Sequence, residues 1–424
     1  MKIISYSDIN EDFFTVRELQ KLEVVEQILE DIKNQGDAAV RFYTKKFDKV
    51  DIDDFKISND KRVDAEKFIS NDLKFAIDYA VENLTIFAKE QLANLKNFEI
   101  EVRDGVKLTQ RIIPLESVGV YVPGGNFPLV SSLLMGVVPA KVAGVKNIIV
   151  CSPPEISKEI LYAAYRLGIE DIFQIGGVQA IGAMAYGTQS IPSVNKIVGP
   201  GNKYVAYAKK QVYGICGIDF VAGPSEVFII ADSSANIKFI AADMIAQSEH
   251  DKEAEAILVT DDKKLAVEVS ECIDQFLEEY KISDIARISI EKNGIIIVVD
   301  DLNDAVDIAN RKAPEHLELH VRYPNKLQDK LYNYGSLFIG EYSAEILGDY
   351  SAGINHTLPT NGVAKFTGGL SVKDFVKIVT QITTDSNKFN VDLYKVASIL
   401  AENEGLKGHK LAADLRLEYL LKRS

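Results

Sequence analysis

The chain has 424 residues, 47% apolar and 26% charged, an ordinary globular composition with length for more than one core. Its formal net charge of −14 disfavours a phosphate backbone or an anionic membrane surface as the main partner and points to a small-molecule substrate. The start "MKIISYSDINEDFF" carries no secretory pattern, the most apolar stretch (Leu129 to Val145) is broken by Pro139 and Lys141, and Cys151, Cys216 and Cys272 lie far apart, so a reducing cytoplasm is expected, with no membrane span and no disulfide framework.

In chain order, residues 18–47 and 62–94 place apolar side chains at helical spacing, for example Val24, Ile28 and Ile32, and predict a helical N-terminal quarter. The period then shortens. "FEIEVRDGVKLTQRIIPL" reads as a hairpin turning at Asp104-Gly105. A strand, loop and helix rhythm follows: "VGVYV" before "PGGNFP", "KNIIVC", "DIFQI" before "GGVQAIGAMAYG", and "NKIV" before "GPGNKYVAYAKK". Short apolar strands bounded by Gly and Pro and alternating with helices predict a parallel sheet covered on both faces, here a Rossmann-like unit.

After "AGPSE" the rhythm resumes with "VFIIAD", a helix over "IKFIAADMIAQSEH", the strand "EAILVT", a helix from about Lys263 to Tyr280, then "ARISI", "GIIIVVD", a helix over "LNDAVDIANR" and the strand "HLELHV". This predicts a second α/β unit, completed by N-terminal residues. Residues 346–370 read as a long irregular loop, the kind that carries function, and two helices near 390–403 and 409–422 follow.

Gly124 with Gly125, Gly176 with Gly177, and Gly199 with Gly201 each stand where a strand hands over to a helix, where free backbone N–H groups suit an anionic ligand. Tight turns that only glycine permits would explain each alone, and none spells G-x-G-x-x-G. Of five histidines, His250 closes a helix with Gln247 three residues earlier, so both emerge on one face, as two ligands of one metal ion can. A histidine at a helix C-terminus has the same spacing without a metal. His356 shares the long loop with Asp349, and His409 opens the last helix; spacing alone also allows both to be solvated. His320, opposite Leu317 and Leu319 in the alternation, reads as structural or surface. His316 follows Glu315 and Pro314, so a turn can aim a carboxylate and an imidazole into a cleft for two successive deprotonations.

Together "VGVYVPGG", "GGVQAIGAMAYGT", "KIVGPGNKYVAYAK", "AGPSEV", "DMIAQSEHD", "APEHLEL", "GDYSAGINHTLPT" and "GHKLAADLR" resemble, in this order, the signature segments of the histidinol dehydrogenase family, over roughly residues 15–420. The resemblance implies an α/β fold of two Rossmann-like doubly wound units in an aldehyde-dehydrogenase-like arrangement, with N-terminal helices and a helical C-terminal extension. Its domains would be residues 1–113 with 226–345 as a first α/β domain including the N-terminal helices, 114–225 as an NAD-binding domain, and 346–424 as an active-site loop and a C-terminal segment exchanged in a homodimer.

The implied activity is oxidation of L-histidinol to L-histidine through L-histidinaldehyde, with one Zn2+ per subunit and two NAD. Gln247, His250, Asp349 and His409 would bind zinc, the last reaching its partner's site. His316 would be the base for the alcohol, and Glu315 would activate water for the second step. Substrate would touch Ser225, His356 and Glu404 besides Gln247, His250, His316, Asp349 and His409; NAD would lie on Tyr121, Gln179 and Asn202. Gly405 and Gly408 leave the register of Glu404 to a short stretch. A related zinc- and NAD-dependent dehydrogenase of another small polar alcohol is the alternative. A zinc hydrolase would have no use for the glycine-rich unit, and a metal-dependent scaffold none for Glu315 beside His316.

Overall fold

The computed structural model describes residues 1–17, 19–124, 129–385, 388 and 390–422, so Gly125 of the first glycine-rich junction lies outside the described residues. The chain divides into two compact units, Met1–Leu92 with Leu115–Phe375, and Ala93–Pro114 with Val376–Ser424.

The first unit holds two all-parallel sheets. In one, the strands run Asp171–Gln174, Asn147–Ser152, Ser117–Tyr121, Lys196–Val198 and Gly217–Ile218 across the sheet. In the other, the order is Lys2–Ser5, Ile295–Val298, Glu255–Thr260, Glu226–Ala231, His316–His320 and Ser336–Ile339. Apart from Lys2–Ser5, which adds an edge strand to the second sheet, each sheet starts from a central strand, winds outward to one side, then returns and winds to the other. The reversal leaves a crevice beside the central strand, between Ser117–Tyr121 and Lys196–Val198 in the first sheet and between Glu226–Ala231 and His316–His320 in the second. The β-branched runs "IIV", "VFII" and "AILV" suit strands buried on both faces.

Three local readings change. "ARISI" lies within the helix Asp284–Asn293, whose N-cap Ser283 accepts from the Ala286 backbone N–H at 3.4 Å and which buries Ala286, Ser289 and Ile290 at helical spacing. Residues 346–370 are not wholly irregular: the helix Glu345–Tyr350 opens them and a 3-10 turn spans Val363–Lys365. The helices Glu23–Gln35 and Asp37–Phe47, expected with the first α/β domain, bury Val25, Ile28, Leu29, Ile32 and Val40 in one core with Ile149, Ile181 and Met184, and so cover the five-stranded sheet instead.

The second unit is a three-stranded antiparallel sheet, Phe98–Arg103, Val106–Pro114 and Val376–Thr384, with the helices Val391–Asn403 and Lys407–Leu421 packed on one another. Its hairpin does turn at Asp104-Gly105, with Gly105 at φ 74°, but it pairs with Val376–Thr384 rather than joining the first α/β domain.

Candidate active site

The helix Leu302–Lys312 ends at Ala313, which caps it in the left-handed region at φ 55° with its N–H on the Ala309 carbonyl oxygen, and the proline that follows cannot continue the helix. Pro314 follows, and the strand His316–His320 begins two residues later. Glu315 and His316 therefore stand at the amino end of that strand. Ser225 and Glu226 stand at the amino end of its neighbour, since His316 pairs with Val227.

The two turns hold each other. The Glu226 backbone N–H donates to Glu315 Oε2 at 2.9 Å, and the Glu315 backbone N–H donates to Glu226 Oε2 at 3.3 Å. Glu226 Oε1 also accepts from the Asn361 backbone N–H at 2.9 Å, which ties the loop after His356 to the same point. Burial raises Glu315 to about 8 and Glu226 to about 7. Burial opposes the charged form of His316, yet the carboxylates of Glu315 and Asp349 outweigh it and raise the imidazole to about 10. Its Nδ1 faces the Glu226 carbonyl oxygen at 3.2 Å, its Nε2 lies 3.5 Å from Asp349 Oδ1, and its ring stacks on Phe338.

The helix Ile237–Ser248 delivers Gln247 to this cluster. Its Nε2 lies 3.2 Å from His316 Nδ1 and donates to Glu315 Oε2 at 3.4 Å, while its Oε1 is buried with no hydrogen-bond partner. A buried carbonyl oxygen left so is costly unless something coordinates or donates to it. One turn on, His250 Nε2 lies 3.9 Å from Asp349 Oδ2. The helix carrying Asp349 comes close because residue 348 is glycine: a Cβ there would meet the Phe338 ring at 2.9 Å. His356 presents Nδ1 to the Asp349 carbonyl oxygen at 3.1 Å, and burial lowers its pKa from the ordinary histidine value. A carbonyl only accepts, so Nδ1 carries the hydrogen and Nε2 keeps the lone pair.

The structure thus brings Gln247, His250, Asp349, Glu315, His316 and His356 together. Ser225 is half-buried next to Glu226 and accepts the Glu255 backbone N–H at 2.9 Å. His409, in the helix Lys407–Leu421, and Glu404, which caps Val391–Asn403, belong to the second unit and are exposed. At the two turns themselves, Glu226 and its neighbour Glu255 were not expected from the sequence. Glu255 pairs with Lys312 at 2.6 Å and with Arg17. The only hint was that Glu226 directly follows Ser225 in "GPSEV".

Of the expected cofactor residues, Tyr121 and Asn202 stand at the carboxyl ends of the two strands that flank the crevice of the five-stranded sheet, where such folds bind nucleotides, and Gln179 follows the edge strand. Tyr121 ends the central strand, and its hydroxyl accepts the Gly177 N–H at 3.0 Å. Asn202 caps the helix Lys203–Val212, accepting from Tyr204 and Val205. Gln179 is buried and donates to Asp48 Oδ2 at 3.1 Å. Gly199 is gripped from both ends: Asp219 Oδ2 accepts its N–H at 2.8 Å, and Lys209, paired with Asp219 in the interior, donates to its carbonyl at 2.9 Å.

The family model described as histidinol dehydrogenase matches residues 15–417. The chain is 46% identical over 398 residues to a histidinol dehydrogenase of Bacillus cereus, covering 93% of this chain and 92% of that one. A crystal structure of histidinol dehydrogenase from Elizabethkingia anophelis superposes with a TM-score of 0.92 at 37% identity, covering 99% of this chain and 98% of the other. An acetylating aldehyde dehydrogenase from Geobacillus thermoglucosidasius, only 14% identical, shares the fold at a TM-score of 0.50 over 85% and 92% of the two chains.

Proposed function

Since the chain belongs to the histidinol dehydrogenase family, we propose that it oxidises L-histidinol to L-histidine through L-histidinaldehyde, using one zinc ion per subunit and two NAD. The observation that carries the metal is the buried, unpartnered Oε1 of Gln247 beside His250 and Asp349. Amide oxygen, imidazole and carboxylate form a donor set that zinc accepts. Gln247, His250 and Asp349 would hold it, with His409 as the fourth ligand. Bound zinc supplies a Lewis acid that anchors the imidazole and amine of the substrate, and NAD supplies the hydride acceptor.

The chain's own residues do the rest. His316 takes the hydroxyl proton of the alcohol. Glu315, Asp349 and Glu345 are the carboxylates that raise the His316 ring, and Asp349 would share its charge with the metal it helps to hold. Glu315, fixed by the Glu226 N–H and made more basic than an ordinary carboxylate by burial, takes a proton from the water that adds to the aldehyde. Ser225, His356 and Glu404 position the substrate. The proposed division of labour leaves residues 114–225 as the NAD-binding domain, with Tyr121, Gln179 and Asn202 at the crevice; residues 226–345 with the N-terminal strand carry the chemistry, and 346–424 supply the active-site loop and the C-terminal segment.

The second unit supports a homodimer in which that segment is exchanged and His409 completes the partner's site. Val396, Ile399, Leu400, Leu411, Leu415 and Tyr419 are each more than half exposed on its two helices, an apolar face that water disfavours and a second copy would cover. Among the described residues no helix is long and apolar enough to cross a membrane. Three free cysteines, two of them buried, suit the cytoplasm.

Incubating the purified protein with histidinol and NAD tests the whole reading. It should yield about two NADH per histidine, and a chelator should abolish the activity until zinc restores it. One NADH per substrate with aldehyde accumulating, or full activity after metal removal, overturns it.

A further inference from the structure

Behind the site lies a second polar layer. Asp243 precedes Gln247 by one turn of the helix Ile237–Ser248, Glu345 precedes Asp349 by one turn of the helix Glu345–Tyr350, and Glu318 follows His316 by two residues of the strand. These are the spacings, i,i+4 in a helix and i,i+2 in a strand, that keep side chains on one face. All three carboxylates and His320 are at least nine-tenths buried.

They also meet. Carboxylate and imidazole atoms of Asp243, Glu318 and His320 lie within 4.8 Å of one another. Glu318 Oε2 sits 3.0 Å from His320 Nε2, and Glu318 Oε1 accepts the Glu345 backbone N–H at 2.8 Å. Asp243 Oδ2, His320 Nδ1 and Glu345 Oε2 have no partner. The strand has a neighbour on each side and His320 is buried, so the surface role open to it from the alternation closes.

We propose that Asp243, Glu318, Glu345 and His320 are positioning residues, a buried tier that fixes the three elements carrying Gln247, His316 and Asp349 relative to one another. The idea rests on the zinc and acid–base reading above. Glu318 is the keystone, because its two oxygens already bond to His320 and to the first turn of the helix bearing Asp349. That use also favours positioning over a second cation, since each Glu318 oxygen already has a hydrogen-bond partner. Burial and the nearness of Glu318 raise Asp243 above the ordinary carboxylate range.

Glu318→Gln and Glu318→Leu in the full-length protein test this. Each is followed by thermal unfolding, by zinc affinity in competition with a chelator without substrate, and by kcat and KM for histidinol. Loss of groups that orient metal ligands typically lowers metal affinity or activity by about 10- to 100-fold. The Leu variant should fall by that factor in zinc affinity and in kcat, and the Gln variant, whose amide oxygen can accept the Glu345 N–H while its NH2 donates to His320 Nε2 in the Nδ1–H tautomer, should stay within about threefold of wild type on both. A folded Leu variant with zinc affinity and kcat within threefold overturns the proposal. So does a Gln variant as damaged as the Leu one, and a second equivalent of zinc bound by the wild type would then make the cluster a cation site. If the Leu variant does not fold, Glu345→Ala, which keeps the backbone bond to Glu318, decides on the same scale. A wild-type protein that makes no NADH from histidinol would refute the proposed activity, while the zinc affinities would still judge the tier.

Discussion

Glu315 and His316 are neighbours in sequence, yet they face different partners. Glu315 is oriented by the Glu226 N–H, and His316 is set between the Glu226 carbonyl and Asp349. Separate settings permit separate steps. Replacing His316 by Ala should lower formation of the aldehyde by about 100-fold or more, while Glu315→Gln should spare that half-reaction and slow oxidation of supplied histidinaldehyde by a similar factor. Equal loss of both half-reactions in both variants, measured as single-turnover NADH formation, would show that the pair acts as one unit. What was legible at this scale is instructive. Gln247, His250 and Asp349 stood out through spacing and resemblance, whereas Glu226, Asp243, Glu318 and Glu345 did not, because a buried acid looks in sequence like a solvated one. In "HLELH" the alternation put Glu318 and His320 opposite Leu317 and Leu319, which in a strand covered on one side means water. Here both faces are covered.

At the scale of elements, the parallel strands and their helices were readable because apolar runs and glycine junctions leave local marks. "ARISI" misled through its β-branched residues, and only the cap at Ser283 and the burial of Ser289 reveal the helix. Pairing partners were not readable: nothing local says that the hairpin Phe98–Pro114 belongs with a strand more than two hundred residues on. The glycine junction at residue 199 is a different matter, since its geometry is now explicit. Gly199 has φ 118°, and a Cβ there would run into the Tyr121 carbonyl oxygen. Gly199→Ala should cost about 1–3 kcal/mol of stability and raise the KM for NAD by about tenfold. Zinc content should not change, because Gln247, His250 and Asp349 stand beside the other sheet. An unchanged KM for NAD in a variant of lowered melting temperature would remove this turn from the cofactor site.

For the whole molecule, the proposed exchange of the C-terminal segment makes a prediction that no single chain can satisfy. His250→Asn and His409→Asn variants should each be inactive alone. Mixed after dissociation and reassembly, they should regain about a quarter of wild-type activity, because half of the dimers are mixed and each mixed dimer holds one intact site. No recovery on mixing would place His409 in its own subunit's site or in none. A second long-range pairing concerns time rather than catalysis. The strand Lys2–Ser5 closes the edge of the six-stranded sheet against Ile295–Val298. During synthesis it emerges about 290 residues before that partner, an interval of roughly 15 to 60 seconds at ordinary translation rates. Until then its hydrogen-bonding groups have no neighbour in the sheet, and the nascent chain carries an open β-edge that invites pairing with other chains. The order of translation therefore gives the segment Lys2–Ser5 a long wait in which a chaperone could protect it, although in the finished protein it is only an outer strand.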